Sequence, residues 1–186
     1  FARNHHMAVK HVAMARKELG RRTIFNMIGP LCNPAKVPFQ IIGTVSESLA
    51  EKLAKAVQIL GVKRAFIIVG GNGLDELSID EDSIIYDVTE KNIDKSIFSP
   101  KSISYFSGEI AIKGGEAKEN ADTFKKLFSK RDLNHPIMKM IILNAGAAMY
   151  CFGKVDSIKQ GVELSIECVR DGRAWDKYLE YKALAS

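Results

Sequence analysis

The chain has 186 residues, of which 46% are hydrophobic and 26% are charged, and its formal net charge is +5. These proportions are typical of a soluble globular domain, and no apolar run approaches the roughly 18 to 20 residues of a membrane-spanning helix. The three cysteines, Cys32, Cys151 and Cys168, form no CxxC pair, so reduced structural cysteines are expected rather than a zinc ribbon or a disulfide framework. Basic residues are interspersed with acidic ones along the chain. The preferred interpretation of the positive net charge is therefore a solvated basic surface, and the next is a positive pocket for a phosphorylated substrate.

The first part of the chain predicts a helix followed by an ordered loop. Residues 7–19 carry apolar side chains at helical spacing, and Gly20 is a suitable residue to end the helix. The next segment contains Pro30, Pro34 and Pro38. Because proline removes a backbone donor and blocks helix continuation, a long helix is excluded here.

A strand–helix–strand unit is predicted next. QIIGTV at residues 40–45 is typical of a strand, residues 49–60 have helical spacing behind Ser46 or Ser48, and RAFIIVG at residues 64–70 is a continuous apolar run. Such a run is typical of a strand that is buried on both faces of a sheet. Residues 83–89 and 93–99 are then predicted to pair as antiparallel strands.

Four later segments complete the predicted secondary structure. Residues 116–128, 157–171 and 174–184 are predicted helices, and residues 139–150 are predicted to begin as a strand and continue as an alanine-rich helix. Asn144 would lie at that junction, where it is expected to cap the helix. Gly114 and Gly115 precede a helix that begins with Glu116, whose charge would repel phosphate, so a structural turn is favoured there.

An acidic pair, Asp75 and Glu76, follows the buried strand and a run of glycines, in the sequence GLDEL. In open α/β sheets, ligands bind beyond the carboxyl ends of the strands, which is where this pair is predicted. Mg²⁺ prefers oxygen ligands and commonly takes one or two protein carboxylates together with substrate phosphates. The residues leave two interpretations open, a simple acidic turn and a Mg²⁺ site at Asp75 and Glu76, and the position beyond the strand supports the second.

Arg16 is a candidate for binding a carboxylate. Its planar guanidinium can hold a carboxylate with two hydrogen bonds, although Arg21 and Arg22 offer the same group and the residues alone do not separate the three. His6 can hydrogen-bond a substrate amine or carboxylate. The sequence contains no GxSxG, HExxH, Walker A or GxGxxG motif, and no catalytic acid, base or nucleophile is assigned.

Four segments, in order along the chain, resemble those of the anthranilate phosphoribosyltransferase family: FARNHHMAVKHVAMARKELGRRTIFNMIGPLCNP, GGNGLDELS, GGEAKENA and LNAGAAMY. The RTIFNMIGPLCNP block is highly specific. The resemblance implies an α/β catalytic domain of the nucleoside phosphorylase/phosphoribosyltransferase type, with a central mixed, largely parallel sheet flanked by helices. It also implies that residues 1–186 are the C-terminal portion of this domain and that the family's N-terminal helical domain is missing.

The resemblance further implies a reaction: the phosphoribosyl group of phosphoribosyl pyrophosphate is transferred to the amine of anthranilate, with Mg²⁺, in tryptophan biosynthesis. Carried over by position, Arg16 would hold the anthranilate carboxylate, and His6 and Pro30 would line the anthranilate path. Asp75 and Glu76 would bind Mg²⁺. The whole protein is expected to be a cytoplasmic homodimer that binds neither membrane nor nucleic acid.

Two departures from the family pattern affect these expectations. Met7 stands where the family usually has proline, so the path near His6 is expected to differ in shape. The family's GTGGD loop and KHGN segment lie upstream of Phe1, so the chain alone is expected to lack a complete active site. Two other functions stay open: a pyrimidine nucleoside phosphorylase, and a non-catalytic relative that binds nucleic acid through its basic surface.

Overall fold

The computed structural model describes residues 11–21, 23–106 and 114–185, without the side chains of Ala13, Arg16, Asn26, Asn72 and Ala185. The chain divides into two compact units, Phe1–Pro38 and Phe39–Ser186. In the first unit, helix α1 spans Ala13–Leu19 and ends at Gly20, whose positive φ of 59° suits glycine. Two 3₁₀ turns, Ile24–Asn26 and Gly29–Cys32, follow it and form the predicted proline-rich loop.

The described part of the second unit is built on a four-stranded sheet. Its strands lie in chain order: β1 (Phe39–Gly43), β2 (Arg64–Val69), β3 (Ser83–Thr89) and β4 (Ile93–Phe98). β1 and β2 are parallel, whereas β2–β3 and β3–β4 are antiparallel. The prediction of a mixed sheet is therefore confirmed, but the described part of the sheet is not largely parallel, because only the β1–β2 pairing is parallel and β3 and β4 join as consecutive antiparallel strands.

Helices cover both faces of this sheet. Helix α2 (Glu47–Ile59) joins β1 to β2 and buries the apolar stripe Ala50, Leu53, Ala54 and Val57 against one face. On the other face, Phe66 and Ile68 of β2 belong to the main hydrophobic cluster. The four central residues of β2 are all buried, as the continuous apolar run predicts.

In the described residues after the sheet, the α-helices are α3 (Ala117–Lys130), α4 (Pro136–Phe152), α5 (Ile158–Arg170) and α6 (Arg173–Ala185). The predicted strand at the start of residues 139–150 is wrong, because α4 already begins at Pro136. His135 caps this helix by accepting a hydrogen bond from the Ile137 backbone N–H, and proline is favoured in the first helical turn. A short apolar run does not by itself distinguish a buried helix from a strand.

Helix α4 is the central support of the main hydrophobic core. It contributes Met138, Ile142, Leu143, Ala147 and Cys151 to the cluster under the sheet. It also crosses α5 so closely that a Cβ on Gly146 would lie 2.6 Å from the Val162 backbone nitrogen. Within the described part of the chain, none of the helices is long and apolar enough to cross a bilayer.

Candidate metal and substrate site

The acidic pair lies beyond the carboxyl end of β2, as predicted. Gly70 directly follows the strand, a 3₁₀ turn spans Gly71–Gly73, and Leu74 leads into Asp75 and Glu76. The turn is closed by a 2.9 Å hydrogen bond from the Gly70 backbone N–H to the Leu74 carbonyl. Both acidic residues are exposed, whereas the next three residues, 77–79, are buried. The two carboxylates are therefore exposed to solvent, while the residues that follow them anchor the segment in the core.

Two glycines at strand ends allow the acidic segment to approach the sheet backbone. A Cβ on Gly43, the last residue of β1, would lie 1.5 Å from the Asp75 carbonyl oxygen. A Cβ on Gly70 would lie 2.0 Å from the Glu76 carbonyl oxygen. Atoms cannot come this close, so both positions require glycine in this conformation. The backbone of the pair thus rests directly on the ends of the two parallel strands.

Side chains from other elements fix the segment immediately after the pair. The Asn144 side chain accepts a 2.9 Å hydrogen bond from the Leu77 backbone N–H and donates a 3.2 Å bond to the Leu77 carbonyl. The Ser83 hydroxyl accepts a 3.0 Å bond from the Ser78 N–H. Asn144 lies within α4, so the expectation that it caps this helix is wrong. Its amide instead connects α4 to the acidic segment.

The charge of Asp75 acts on the neighbouring Glu76 carboxyl. Although Glu76 as a whole is exposed, nearby protein atoms shield its carboxyl in part from water and so raise its pKa, and the neighbouring charge of Asp75 raises it further. Both effects disfavour the charged carboxylate, and a bound cation would favour it again. A hard divalent ion bound beside this exposed pair would therefore offset the repulsion between the two carboxylates.

The donor set also indicates which kind of metal site is compatible. Within the described ranges, no group of three or more His, Cys, Asp or Glu side chains is placed to hold a metal ion. A closed protein cage would need more ligands, whereas Mg²⁺ commonly keeps several waters and adds substrate phosphate oxygens to one or two carboxylates. Asp75 and Glu76 therefore fit Mg²⁺ that is shared with a phosphorylated substrate.

The remaining predicted site residues belong to the first unit. Arg16 lies in α1, one turn before Gly20, and its side chain is outside the described part of the structure. Pro30 lies in the Gly29–Cys32 turn and is exposed. His6, like Met7, lies outside the described residues. Their roles toward a substrate stay predictions.

The glycine pair before α3 has a local structural role. The Gly115 backbone N–H and carbonyl are both hydrogen-bonded to the Asn120 side chain, at 3.0 and 2.7 Å. The Glu119 carboxylate accepts a 3.0 Å bond from the Glu116 N–H. These contacts fix the start of the helix, as expected for a structural turn.

Comparison with known proteins agrees with the resemblance seen in the sequence. An anthranilate phosphoribosyltransferase from Halalkalibacterium halodurans is 38% identical over 177 residues, covering 95% of this chain and 52% of that protein. The crystal structure of the Thermus thermophilus anthranilate phosphoribosyltransferase matches 98% of this chain and 54% of its own, with 33% identity and a TM-score of 0.85. The chain spans about half the length of the relatives it matches.

The anthranilate phosphoribosyltransferase of Saccharomyces cerevisiae is a more distant structural neighbour. Its structure in complex with PRPP and Mg is 26% identical to this chain, with a TM-score of 0.77 over 92% of this chain and 49% of the yeast one. A yeast structure in complex with 4-fluoroanthranilate is 27% identical, with a TM-score of 0.76 over 92% of this chain and 50% of its own. The family described as "Glycosyl transferase family, a/b domain" matches residues 1–175. With this match over nearly its whole length, and with the mixed sheet and flanking helices described above, the chain belongs to the a/b domain of this glycosyl transferase family.

Proposed function

We propose that this chain is part of an anthranilate phosphoribosyltransferase, which transfers the phosphoribosyl group of phosphoribosyl pyrophosphate to the amine of anthranilate in tryptophan biosynthesis. One observation carries the proposal: this chain, a member of the family, has two adjacent exposed acidic residues whose backbone lies against the ends of the parallel strands, Asp75 at Gly43 and Glu76 at Gly70. The names of the relatives and the substrates in the yeast structures support the choice of reaction.

The residues have distinct roles in this proposal. Asp75 and Glu76 hold Mg²⁺, which when bound neutralises charge on the departing pyrophosphate. Arg16 holds the anthranilate carboxylate through its guanidinium, and His6 and Pro30 line the anthranilate path. Holding the amine against the anomeric carbon removes most of the entropy cost of bringing two substrates together. The C–N bond forms as the C–O bond to pyrophosphate breaks, and the amine releases its proton to water, so no protein base is assigned.

The proposal extends to the whole protein. Residues 1–186 form the C-terminal portion of the catalytic domain, and phosphoribosyl pyrophosphate also contacts parts of the protein upstream of this portion. The whole protein acts as a homodimer in the cytoplasm. These statements rest on the family resemblance, in which the glycine-rich pyrophosphate loop and the dimer-forming helices precede the matched region.

The test is the loss of anthranilate fluorescence with phosphoribosyl pyrophosphate and Mg²⁺. It uses the natural protein that contains this chain, with the 186-residue chain assayed in parallel. Asp75→Asn and Glu76→Gln are each expected to raise the Mg²⁺ concentration for half-maximal rate about 10-fold or more. Asp82→Asn, which changes an exposed carboxylate in the same region, is the matched control and should leave this value unchanged.

A second pair of variants tests the carboxylate clamp. Arg16→Lys keeps the charge but loses the planar fork, so the KM for anthranilate should rise about 10-fold. Arg21→Lys, on an exposed residue just beyond the helix, should have no such effect. A natural protein that does not consume anthranilate refutes the proposed reaction. If instead Arg16→Lys and Arg21→Lys behave alike, the reaction stands and the role of Arg16 is wrong.

A further inference from the structure

The segment after the acidic pair depends on one side chain of a distant helix. Leu77 follows Glu76 directly, is fully buried, and has both backbone polar groups hydrogen-bonded to the Asn144 side chain. Asn144 is 67 residues further along the chain, in the middle of α4. An amide that binds both the N–H and the carbonyl of one residue holds the two peptide groups on either side of it, and so fixes the backbone position of Leu77.

The Asn144 amide is itself held in place. Its nitrogen donates a second bond, of 3.0 Å, to the Met140 carbonyl one helical turn earlier. A carbonyl oxygen can only accept a hydrogen bond, so the amide group that faces Met140 must be the NH₂ of Asn144. The amide oxygen is therefore the atom that accepts the hydrogen bond from the Leu77 N–H. The neighbours Ile142 and Leu143 are buried in the core, so α4 is a rigid base for this contact.

We propose that Asn144 is a positioning residue for the metal site: it fixes Leu77 and thereby holds the Asp75 and Glu76 carboxylates where they bind a divalent cation. The inference rests on the proposed metal-binding role of the pair. Gly43 and Gly70 let the backbone of the segment lie directly against the strand ends, and the Asn144 amide holds it there through Leu77. Removing the amide leaves both buried Leu77 groups without this partner, so the segment moves to find another.

The same helix offers a matched control. Cys151 lies two turns after Asn144, is buried, and places its sulfur 3.5 Å from the Gln40 carbonyl and 3.8 Å from the Arg64 carbonyl. Gln40 and Arg64 stand at the starts of β1 and β2, whereas the acidic pair lies beyond their carboxyl ends. Cys151→Ala therefore disturbs the same helix–sheet interface without touching the Leu77 contact.

The test compares Asn144→Ala, Asn144→Gln and Cys151→Ala with the parent in the natural protein. The affinity for Mn²⁺ alone is measured from the electron paramagnetic resonance signal of the free ion, and urea unfolding gives the stability of each variant. Asn144→Ala is expected to weaken Mn²⁺ binding about 10-fold. Cys151→Ala is expected to lower the free energy of unfolding by a similar amount but to leave the Mn²⁺ affinity unchanged. Asn144→Gln keeps an amide one methylene further out, so its loss of Mn²⁺ affinity should be smaller. If Asn144→Ala does not fold, Asn144→Gln is the variant that is compared with Cys151→Ala.

Enzyme kinetics provide a readout that general destabilisation does not reproduce. The Mg²⁺ concentration for half-maximal transferase rate should rise in the Asn144 variants, with the KM for anthranilate unchanged. A parent that binds no Mn²⁺, or Asn144 variants that match Cys151→Ala in Mn²⁺ affinity, overturns the inference. If the parent lacks transferase activity and the Asn144 variants still lose Mn²⁺ affinity, the positioning role stands and the proposed reaction fails.

Discussion

Gly43 and Asp75 are in direct backbone contact: a Cβ on Gly43 would lie 1.5 Å from the Asp75 carbonyl oxygen and 2.5 Å from its carbonyl carbon. Gly43 ends β1, and Asp75 follows β2, so the contact joins the ends of the two parallel strands through the acidic segment. A backbone obstacle cannot rotate away as a flexible side chain can. Any side chain at position 43 must therefore displace the acidic pair or the strand.

Gly43→Ala is expected to lower the free energy of unfolding by about 1–3 kcal/mol, the usual cost of forcing extra volume into a packed site. It should also weaken Mn²⁺ binding, since Asp75 cannot keep its position. Urea unfolding and Mn²⁺ titration measure the two effects. Gly114→Ala is the control, because a Cβ there meets no atom of the described residues within 4 Å. Equal behaviour of the two variants would contradict the close contact.

Arg64 stabilises the opposite end of the sheet. Its guanidinium donates 2.9 and 2.6 Å hydrogen bonds to the two Asp87 carboxylate oxygens on β3, and a third, of 3.0 Å, to the Tyr150 carbonyl on α4. Both charged side chains are largely buried, at 21% and 26% exposed. Asp87 also supports the charged state of the guanidinium, because its hydrogen bonds raise the pKa of Arg64.

We expect Asp87→Asn to lower the free energy of unfolding by about 1.5–3 kcal/mol, since it weakens a two-bond ion pair and leaves the arginine partly unpaired. Urea unfolding of Asp87→Asn, Arg64→Met and the double variant gives the coupling between the two residues. The Lys177–Glu180 pair on α6 is the control, because its side chains are 76% and 63% exposed and such pairs contribute little. A coupling no larger than that of the control pair would show that the Arg64–Asp87 pair is not stabilising.

Cys151 makes stability depend on pH in the alkaline range. Burial raises the pKa of its thiol from 9.0 to about 11. The unfolded chain therefore loses this proton first as the pH rises, so the contribution to stability is complete below pH 9 and is lost between pH 9 and about 11. Urea unfolding across this range should show a decline that is smaller in Cys151→Ala.

Thiol labelling tests the same environment. In the native protein at about pH 8, iodoacetamide should modify the exposed Cys32 well before Cys151, because only the thiolate reacts and Cys151 is buried as a neutral thiol. Mass spectrometry of the digested protein identifies the labelled residue. Rapid native labelling of Cys151, or an unchanged alkaline decline in Cys151→Ala, would contradict this account.

Local sequence patterns predicted much of the second unit. The apolar run RAFIIV predicted the doubly buried strand β2, and the spacing of residues 49–60 predicted α2, since burial repeats with the geometry of each element. The position of Asp75 and Glu76 beyond β2 also followed from chain order, because a loop begins where its strand ends. The prediction of a strand at the start of residues 139–150 was wrong, because a buried helix with apolar residues on several sides has the same continuous apolar sequence as a buried strand.

By itself, the sequence determined most of the helices and strands, the family to which the chain belongs, and the acidic pair as the candidate metal site. Only the tertiary structure decided how that pair is held. Gly43 precedes Asp75 by 32 residues, and Asn144 follows Leu77 by 67, so no local period connects them. Their contacts arise because parallel strands end at the same edge of the sheet and because α4 packs beneath it. The contact of Gly43 with Asp75 and the hydrogen bonds of the Asn144 amide to Leu77 are therefore consequences of the tertiary fold, and no local sequence pattern predicts them.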